Sequence, residues 1–462
     1  MWKKRKLLLV GLAVVLWCSV VAIIVVGKAS APQDGDEAVQ RVHELAAEAV
    51  ARYEQHFAET VSSATPSGST AAIELFDRLA PSLEQVLEEE HFQEALTLQE
   101  KKHWSEWTGD QINLLAIFLD EHLALLDDIR ALGDLREPVY RADLSKGMGT
   151  DLPHLAPLRT MARLLRFEAS IRAHSGDLEG AIEDYHAILE LGETLCDEPF
   201  TISQLVRVAL NAIAFEGMGS EFPLGELSVE QACVFVQKTE GMCHREGFES
   251  ALANEAMLAI NSASRQPFAS IANEEAVPVI PETNTLTLLF LYPSPLGDDI
   301  VRADRQTCAK FMEHIIRVAR KPYFEAQDEL DTIEVELASL SFLKGYTKAL
   351  VPQLVRIQAV QPRNEAMLDL MRIGVLLEAQ YAETGSYPAS LDAVADDLGG
   401  SLPVDPFTGA AYVYIPEGDV FMLYSLGANQ QDDGGRHHYL EGDIVWRGIK
   451  EKGEGGIEGP TE

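Results

Sequence analysis

Between residues 34 and about 360, apolar side chains recur at spacings of three and four, helix formers dominate and few stretches alternate. The pattern predicts an all-helical region. Its first helix spans 37–61 and stops before the run Ser62-Ser63-Ala64-Thr65-Pro66-Ser67-Gly68-Ser69, with Ser69 or Thr70 placed to cap a helix from Ala71. A second clear helix covers 112–132, introduced by Gly109-Asp110 and stopped at Gly133. Breaks fall at 145–157, at Phe222-Pro223-Leu224-Gly225 and over 266–298, where a Pro-rich segment with an apolar stretch at 285–292 reads as an ordered loop or short strand packed on helices.

After residue 363 the pattern changes. Met367, Leu370, Met371, Gly374, Leu377 and Tyr381 form one apolar helix face, ended by Gly385. Ser390 is placed to cap a short helix to Leu398, closed by Gly399. Residues 411–415 and 420–424 are rich in β-branched and aromatic side chains and flank Pro416-Glu417-Gly418-Asp419, which predicts a hairpin. A helix packed on a small antiparallel sheet follows.

Within this end the motifs Leu402-Pro403-Val404-Asp405-Pro406-Phe407, Tyr412-Val413-Tyr414, Tyr424-Ser425-Leu426-Gly427-Ala428-Asn429 and Gly442-Asp443-Ile444-Val445-Trp446 succeed one another. The series resembles the C-terminal domain of the major pseudopilins of type II secretion over residues 363–447, its most specific part being Asp-Pro-aromatic-x-Gly paired with Ser-Leu-Gly-Ala. A pseudopilin runs from its membrane segment straight into its long helix, whereas more than 300 residues intervene here and no acid lies in the apolar run. The resemblance therefore implies the end domain and not filament assembly.

Residues 161–193 form two helical stretches joined by His174-Ser175-Gly176-Asp177, with Ala169, Ala181 and Tyr185 where helix-turn-helix repeats pack their helices together. The unit resembles a single tetratricopeptide-type hairpin. Leu165 replaces the usual aromatic, Ile188 the second-helix alanine, and no second copy recurs at a 34-residue period. A lone hairpin within an irregular α-domain and a repeat both fit.

Lys3, Lys4, Arg5 and Lys6 precede an uncharged apolar run over 7–26. As a helix that run would rise about 30 Å, the thickness of a bilayer core. It is longer than the apolar region of a cleaved signal peptide, which favours a retained anchor despite Ala29-Ser30-Ala31. Basic residues on its N-terminal side alone leave the N-terminus cytoplasmic and the body outside. The formal charge is −36, and the first 28 residues hold five of the basic side chains and no acidic one. So acidic a body repels nucleic acid and anionic lipid headgroups; it suits cations, basic partners or simply a solvated surface without a dedicated ligand, and protein partners are expected from the docking role of the end domain.

Outside the apolar run lie Cys196, Cys233, Cys243 and Cys308, which an oxidising compartment would allow to form two disulfides in any of three connectivities. Buried free thiols fit equally well. Glu88-x-x-His91 and Glu183-x-x-His186 have the spacing of di-iron helices, yet with 12 histidines about one such pair arises by chance. HExxH, Gly-x-Ser-x-Gly and a phosphate-binding Gly-rich loop are all missing.

The acidic loop of the C-terminal region carries the sharper chemistry. Asn429, Asp432, Asp433 and Asp443 bracket Gly427, Gly434, Gly435 and Gly442, and calcium takes six to eight such hard oxygens. In the pseudopilins the matching loop holds calcium. By that resemblance Asn429 stands where the family has aspartate, Asp443 keeps its acid, Asp432 or Asp433 completes the charge and the Leu426 carbonyl is a neutral ligand. A structural calcium with a Kd of roughly 10⁻⁴–10⁻³ M is implied.

The expected protein is mainly α: a stub and single transmembrane helix over 1–28, a large helical extracytoplasmic domain over 34–360, a small α+β pseudopilin-like domain over 363–447 and a tail over 448–462. Its expected role is an envelope scaffold or docking protein near a type II secretion or pilus-like apparatus. The alternative is an extracytoplasmic enzyme with its site in the helical domain, metal-assisted through His91 or His186.

Overall fold

The computed structural model describes residues 34–64, 70–101, 106–221, 227–242, 245–262, 297–341, 343–436 and 442–447. These begin with α1 (Asp34–Ala64), α2 (Ala71–Glu88), α3 (Glu90–Lys101), α4 (Gly109–Glu121) and α5 (Leu123–Leu135). The hairpin of α6 (Leu155–Ser175) and α7 (Leu178–Glu193) follows, then α8 (Thr201–Glu221), α9 (Val229–Thr239) and α10 (Arg245–Ser262). Next come α11 (Gly297–Ala319), α12 (Tyr323–Ser339), α13 (Gly345–Arg356) and α14 (Val360–Thr384). The last elements are the antiparallel strands β1 (Val413–Glu417), β2 (Val420–Ser425) and β3 (Ile444–Arg447), in that order across the sheet. The fold is mainly α, as the periodicity implies. Among the described residues no helix is long and apolar enough to cross a membrane, and the apolar run 7–26 lies outside them.

Local chemistry sets the boundaries. Thr70 caps α2, its hydroxyl accepting the Ile73 N–H at 3.0 Å and donating to the Pro138 carbonyl at 3.1 Å. The helix expected over 112–132 is instead two. His122 (φ −114°, ψ 15°) separates α4 from α5, its ring held between the Phe118 carbonyl at 2.8 Å and Glu89 at 3.0 Å. The cap of α4 is Thr108, in a reciprocal box with Gln111, and α5 continues past Gly133 to a left-handed Arg136. The breaks at 222–225 and 266–296 lie outside the described residues.

Near the C-terminus Gly385 and Gly399 close their helical segments with positive φ. Ser390 makes no capping bond, and the segment to Leu398 is two short 3₁₀ turns. The hairpin turn is Gly418-Asp419 alone. Pro416 sits inside β1 opposite Phe421, which costs no ladder bond on an edge strand.

Among the described residues two large apolar cores form, beside a small cluster of Tyr53, Ala142 and Phe200. One joins α2–α9 to α14 and the sheet; the other joins α1 to α10–α13. Helix α14 is buried all round: beside the expected face, Leu368, Ile373, Val375, Leu376 and Ala379 are also buried. One side meets the sheet and the other meets α8 and α9, so a single helix serves both the C-terminal unit and the helical body.

In the α6–α7 hairpin Ala169, Ala181 and Tyr185 are fully buried. Arg130 of α5 enters its side, donating to Asp184 at 2.7 Å and also pairing with Glu168, while Arg172 reaches Glu168 at 2.9 Å. Burial and the Glu168 charge push the Asp184 carboxyl up to about 7, against the pull of the two guanidinium groups.

A candidate cation loop in the C-terminal unit

The two motifs behind the pseudopilin resemblance meet at one buried side chain. Asp405 accepts hydrogen bonds from the Phe407 N–H at 2.9 Å, the Ser425 hydroxyl at 2.9 Å and the Leu426 N–H at 3.1 Å. Ser425 in turn accepts the Gly427 N–H at 3.1 Å. Asp405 thus fixes the Asp-Pro loop to the end of β2. Gly427 has φ 62°, and a Cβ there would run into the Gly442 carbonyl, so glycine alone lets the loop pass β3 this closely.

From Gly427 the chain folds over the outer face of the sheet, where Gly435 packs on Met422 and Tyr424. Asn429 accepts from the Gln431 N–H and donates to Asp433, both at 3.0 Å. Asp432 accepts from the Gly434 N–H at 2.9 Å and from the Tyr424 hydroxyl at 3.0 Å. Burial, reinforced by Asp432, pushes the Tyr424 phenol up to about 12.

Asp443 is fully buried. Its Oδ2 accepts the Gly435 N–H at 2.8 Å, whereas Oδ1 has no hydrogen-bond partner. Burial raises its carboxyl above the ordinary range and the Asp433 and Asp432 charges add to the rise, against the backbone N–H groups of Gly435 and Asp433. Among the described residues no basic side chain bonds to Asp432, Asp433 or Asp443. A buried carboxylate oxygen without a partner, beside two further carboxylates, is a setting that a cation relieves.

The donors are all oxygen, which suits a hard cation such as calcium better than a thiophilic metal. The fit is partial. Among the described residues no three His, Cys, Asp or Glu side chains converge closely enough to hold a metal. Asn429 and Asp432 spend their acceptors on loop hydrogen bonds that an ion would have to replace, and 437–441 lie outside the described residues. Leu426 is positioned through its N–H on Asp405.

The other sequence candidates do not assemble. Glu88, His91 and Glu183 are exposed, whereas His186 is buried against Glu190 at 3.4 Å, so neither Glu-x-x-His pair shares a pocket. Cys196, Cys233 and Cys308 are free thiols; Cys243 lies outside the described residues. Burial raises the pKa of all three, with nearby acids adding to the rise, which makes them poor nucleophiles.

One small cavity with titratable side chains in its walls carries no signal in the sequence. It has a volume of about 10 Å³, roughly the room one water needs, and its walls include Tyr53, His56, His154, Cys196, Asp197 and Glu198. His154 pairs through Nε2 with Glu198 at 3.1 Å, while its buried Nδ1 has no partner; His56 lies 3.4 Å from Asp197. These residues come from three distant segments, and their spacing carries no motif.

No protein-family model matches the chain, and neither a curated protein nor a solved structure shows significant similarity to it.

Proposed function

We propose that the protein is a membrane-anchored extracytoplasmic scaffold or docking protein, presenting a pseudopilin-like end unit beside a type II secretion or pilus-like apparatus. The observation that carries the reading is the Asp405 junction, where the Asp-Pro-Phe and Ser-Leu-Gly motifs bond to one another at 2.9 and 3.1 Å. Two motifs found apart in the sequence act as one structural joint. Calcium at Asp443, with Asn429, Asp432, Asp433 and the Leu426 carbonyl as further oxygens, would order the unit's outer face. The anchor supplies the membrane, the acidic body disfavours nucleic acid, and the recognised partners are proteins.

Two measurements test this. Alkaline phosphatase fused to the C-terminus of the full chain is expected to be active in intact cells. Photo-crosslinkers at the exposed positions Val404 and Asp396 are expected to trap a pilin-like or secretion-platform subunit in membranes. An inactive fusion, or adducts confined to other protein classes with the chain intact, refutes the reading.

A second reading is an enzyme with its site in the helical body; the titratable cluster of His56, Asp197, His154 and Glu198 is its candidate there, beside a cavity with room for about one water. That reading predicts a turnover that His154→Ala abolishes while partner crosslinks persist.

A further inference from the structure

Between residues 361 and 379 only four side chains of α14 are partly exposed: Arg363, Glu365, Asp369 and Arg372. The last three recur at spacings of four and three and so share one line along the helix. They open on a groove of about 370 Å³ whose walls are Arg245, Glu365, Leu368, Asp369 and Arg372. Arg245 begins α10, which belongs to the second core, whereas α14 belongs to the first, so the groove lies on the seam between the two. Small-molecule sites, of about 300–1,000 Å³, favour such seams.

The two ion pairs of the groove differ. Arg245 holds Glu365 through two bonds, at 2.6 and 2.7 Å. Arg372 reaches Asp369 through Nη1 alone, at 3.3 Å. Each member of this looser pair is fixed by other bonds. Arg372 donates from Nε to the Thr239 hydroxyl at 3.1 Å and from Nη2 to the Thr239 carbonyl, at the end of α9. The second carboxylate oxygen of Asp369 accepts the Tyr412 hydroxyl at 2.9 Å. The fold therefore holds a guanidinium and a carboxylate side by side, and their mutual bond can be exchanged without either losing its place.

We propose that this groove binds the head group of a free α-amino acid, its carboxylate on Arg372 and its ammonium on Asp369. An α-amino acid carries both charges on one carbon, which matches a guanidinium and a carboxylate in adjacent positions. It replaces the single 3.3 Å bond by two charge-assisted ones and leaves no charge without a counter-charge. A ligand with one charge would strand either the guanidinium or the carboxylate in a partly buried wall. Beyond the head, the Arg245–Glu365 pair presents a polar wall, which suits an uncharged polar side chain such as a carboxamide. The inference is independent of the docking reading, which gives this seam no role.

Calorimetric titration of the full-length chain in detergent micelles with L-glutamine, N-acetyl-L-glutamine and L-glutaminamide tests this. One saturable site for L-glutamine is expected. Loss of the ammonium in the acetylated probe, or of the carboxylate in the amide, should weaken binding at least about tenfold, because each removes a hydrogen bond between charged groups. Arg372→Gln and Asp369→Asn should each weaken L-glutamine binding by a similar factor. Blocked analogues that bind as well as L-glutamine overturn the head-group assignment, and binding that survives both substitutions overturns the placement. No saturable binding of L-glutamine overturns the site. The analogues decide the matter on the unaltered chain even if a variant does not fold.

Discussion

Gly374 and Gly219 lie beneath the same indole, yet replacing each with alanine should have opposite effects. A Cβ at Gly374 would stand 2.8 Å from Trp446 Cδ1 and closer still to Nε1 and Cε2. Trp446 is fully buried against Phe215, so it has no free space into which to retreat. Overpacking of this kind costs about 1–3 kcal/mol, and severe overlap with a rigid ring places Gly374→Ala in the upper part of that range. Replacing a helix-interior glycine returns about 1 kcal/mol, leaving a net loss of about 1–2 kcal/mol. At Gly219 the nearest indole atom is at 3.5 Å, an ordinary contact, so the propensity gain survives and the variant should be stabler by up to about 1 kcal/mol. Urea unfolding followed by far-ultraviolet circular dichroism reads both midpoints. Gly374→Ala unfolding at or above the wild-type midpoint, with Gly219→Ala below it, would refute the wedge geometry.

Three further substitutions probe buried charge. Burial pushes the Asp369 carboxyl up to about 6 from an ordinary 3.8, against Tyr412 and Arg372. A raised folded-state pKa means its stabilising share is full below about pH 4 and lost as the pH rises through 6, so the stability of Asp369→Asn relative to wild type should increase between pH 4 and 7 by up to about 3 kcal/mol, checked by urea midpoints at both. Asp405→Ala strands the Phe407, Leu426 and Ser425 donors and should cost at least about 3 kcal/mol in thermal unfolding; an unchanged melting temperature would contradict the junction. Arg130→Ala leaves Asp184 and Glu168 facing each other with Arg172 as the remaining guanidinium, and a loss of about 3–5 kcal/mol is expected by chemical denaturation.

What the sequence disclosed was local, and what it hid was not. The Thr70 cap, the Gly385 and Gly399 stops and the α6–α7 turn at Gly176 depend on neighbours within a few residues, and all appear where composition places them. The His122 break depends on Glu89, 33 residues earlier, and no window around His122 contains that partner. Helix α14 was legible as one face because its sheet lies next in the chain. Its second face depends on α8 and α9, with Asn211 donating to Asn364 at 2.8 Å across the interface. The run Val375-Leu376-Leu377 was a signal of burial on all sides, since one amphipathic stripe cannot take three consecutive apolar residues. The acidic loop was visible as residue types, whereas the lone oxygen of Asp443 emerges only once the side chain is buried and the Gly435 N–H takes its other oxygen.

Calcium titration of the full-length chain by calorimetry, in 10 mM magnesium and beside Asp443→Asn, tests the reading of the C-terminal unit most directly. One saturable site with a Kd of about 10⁻⁴–10⁻³ M, lost in Asp443→Asn and insensitive to magnesium, is the predicted result. Absence of saturable binding, or a site that Asp443→Asn leaves intact, would contradict it.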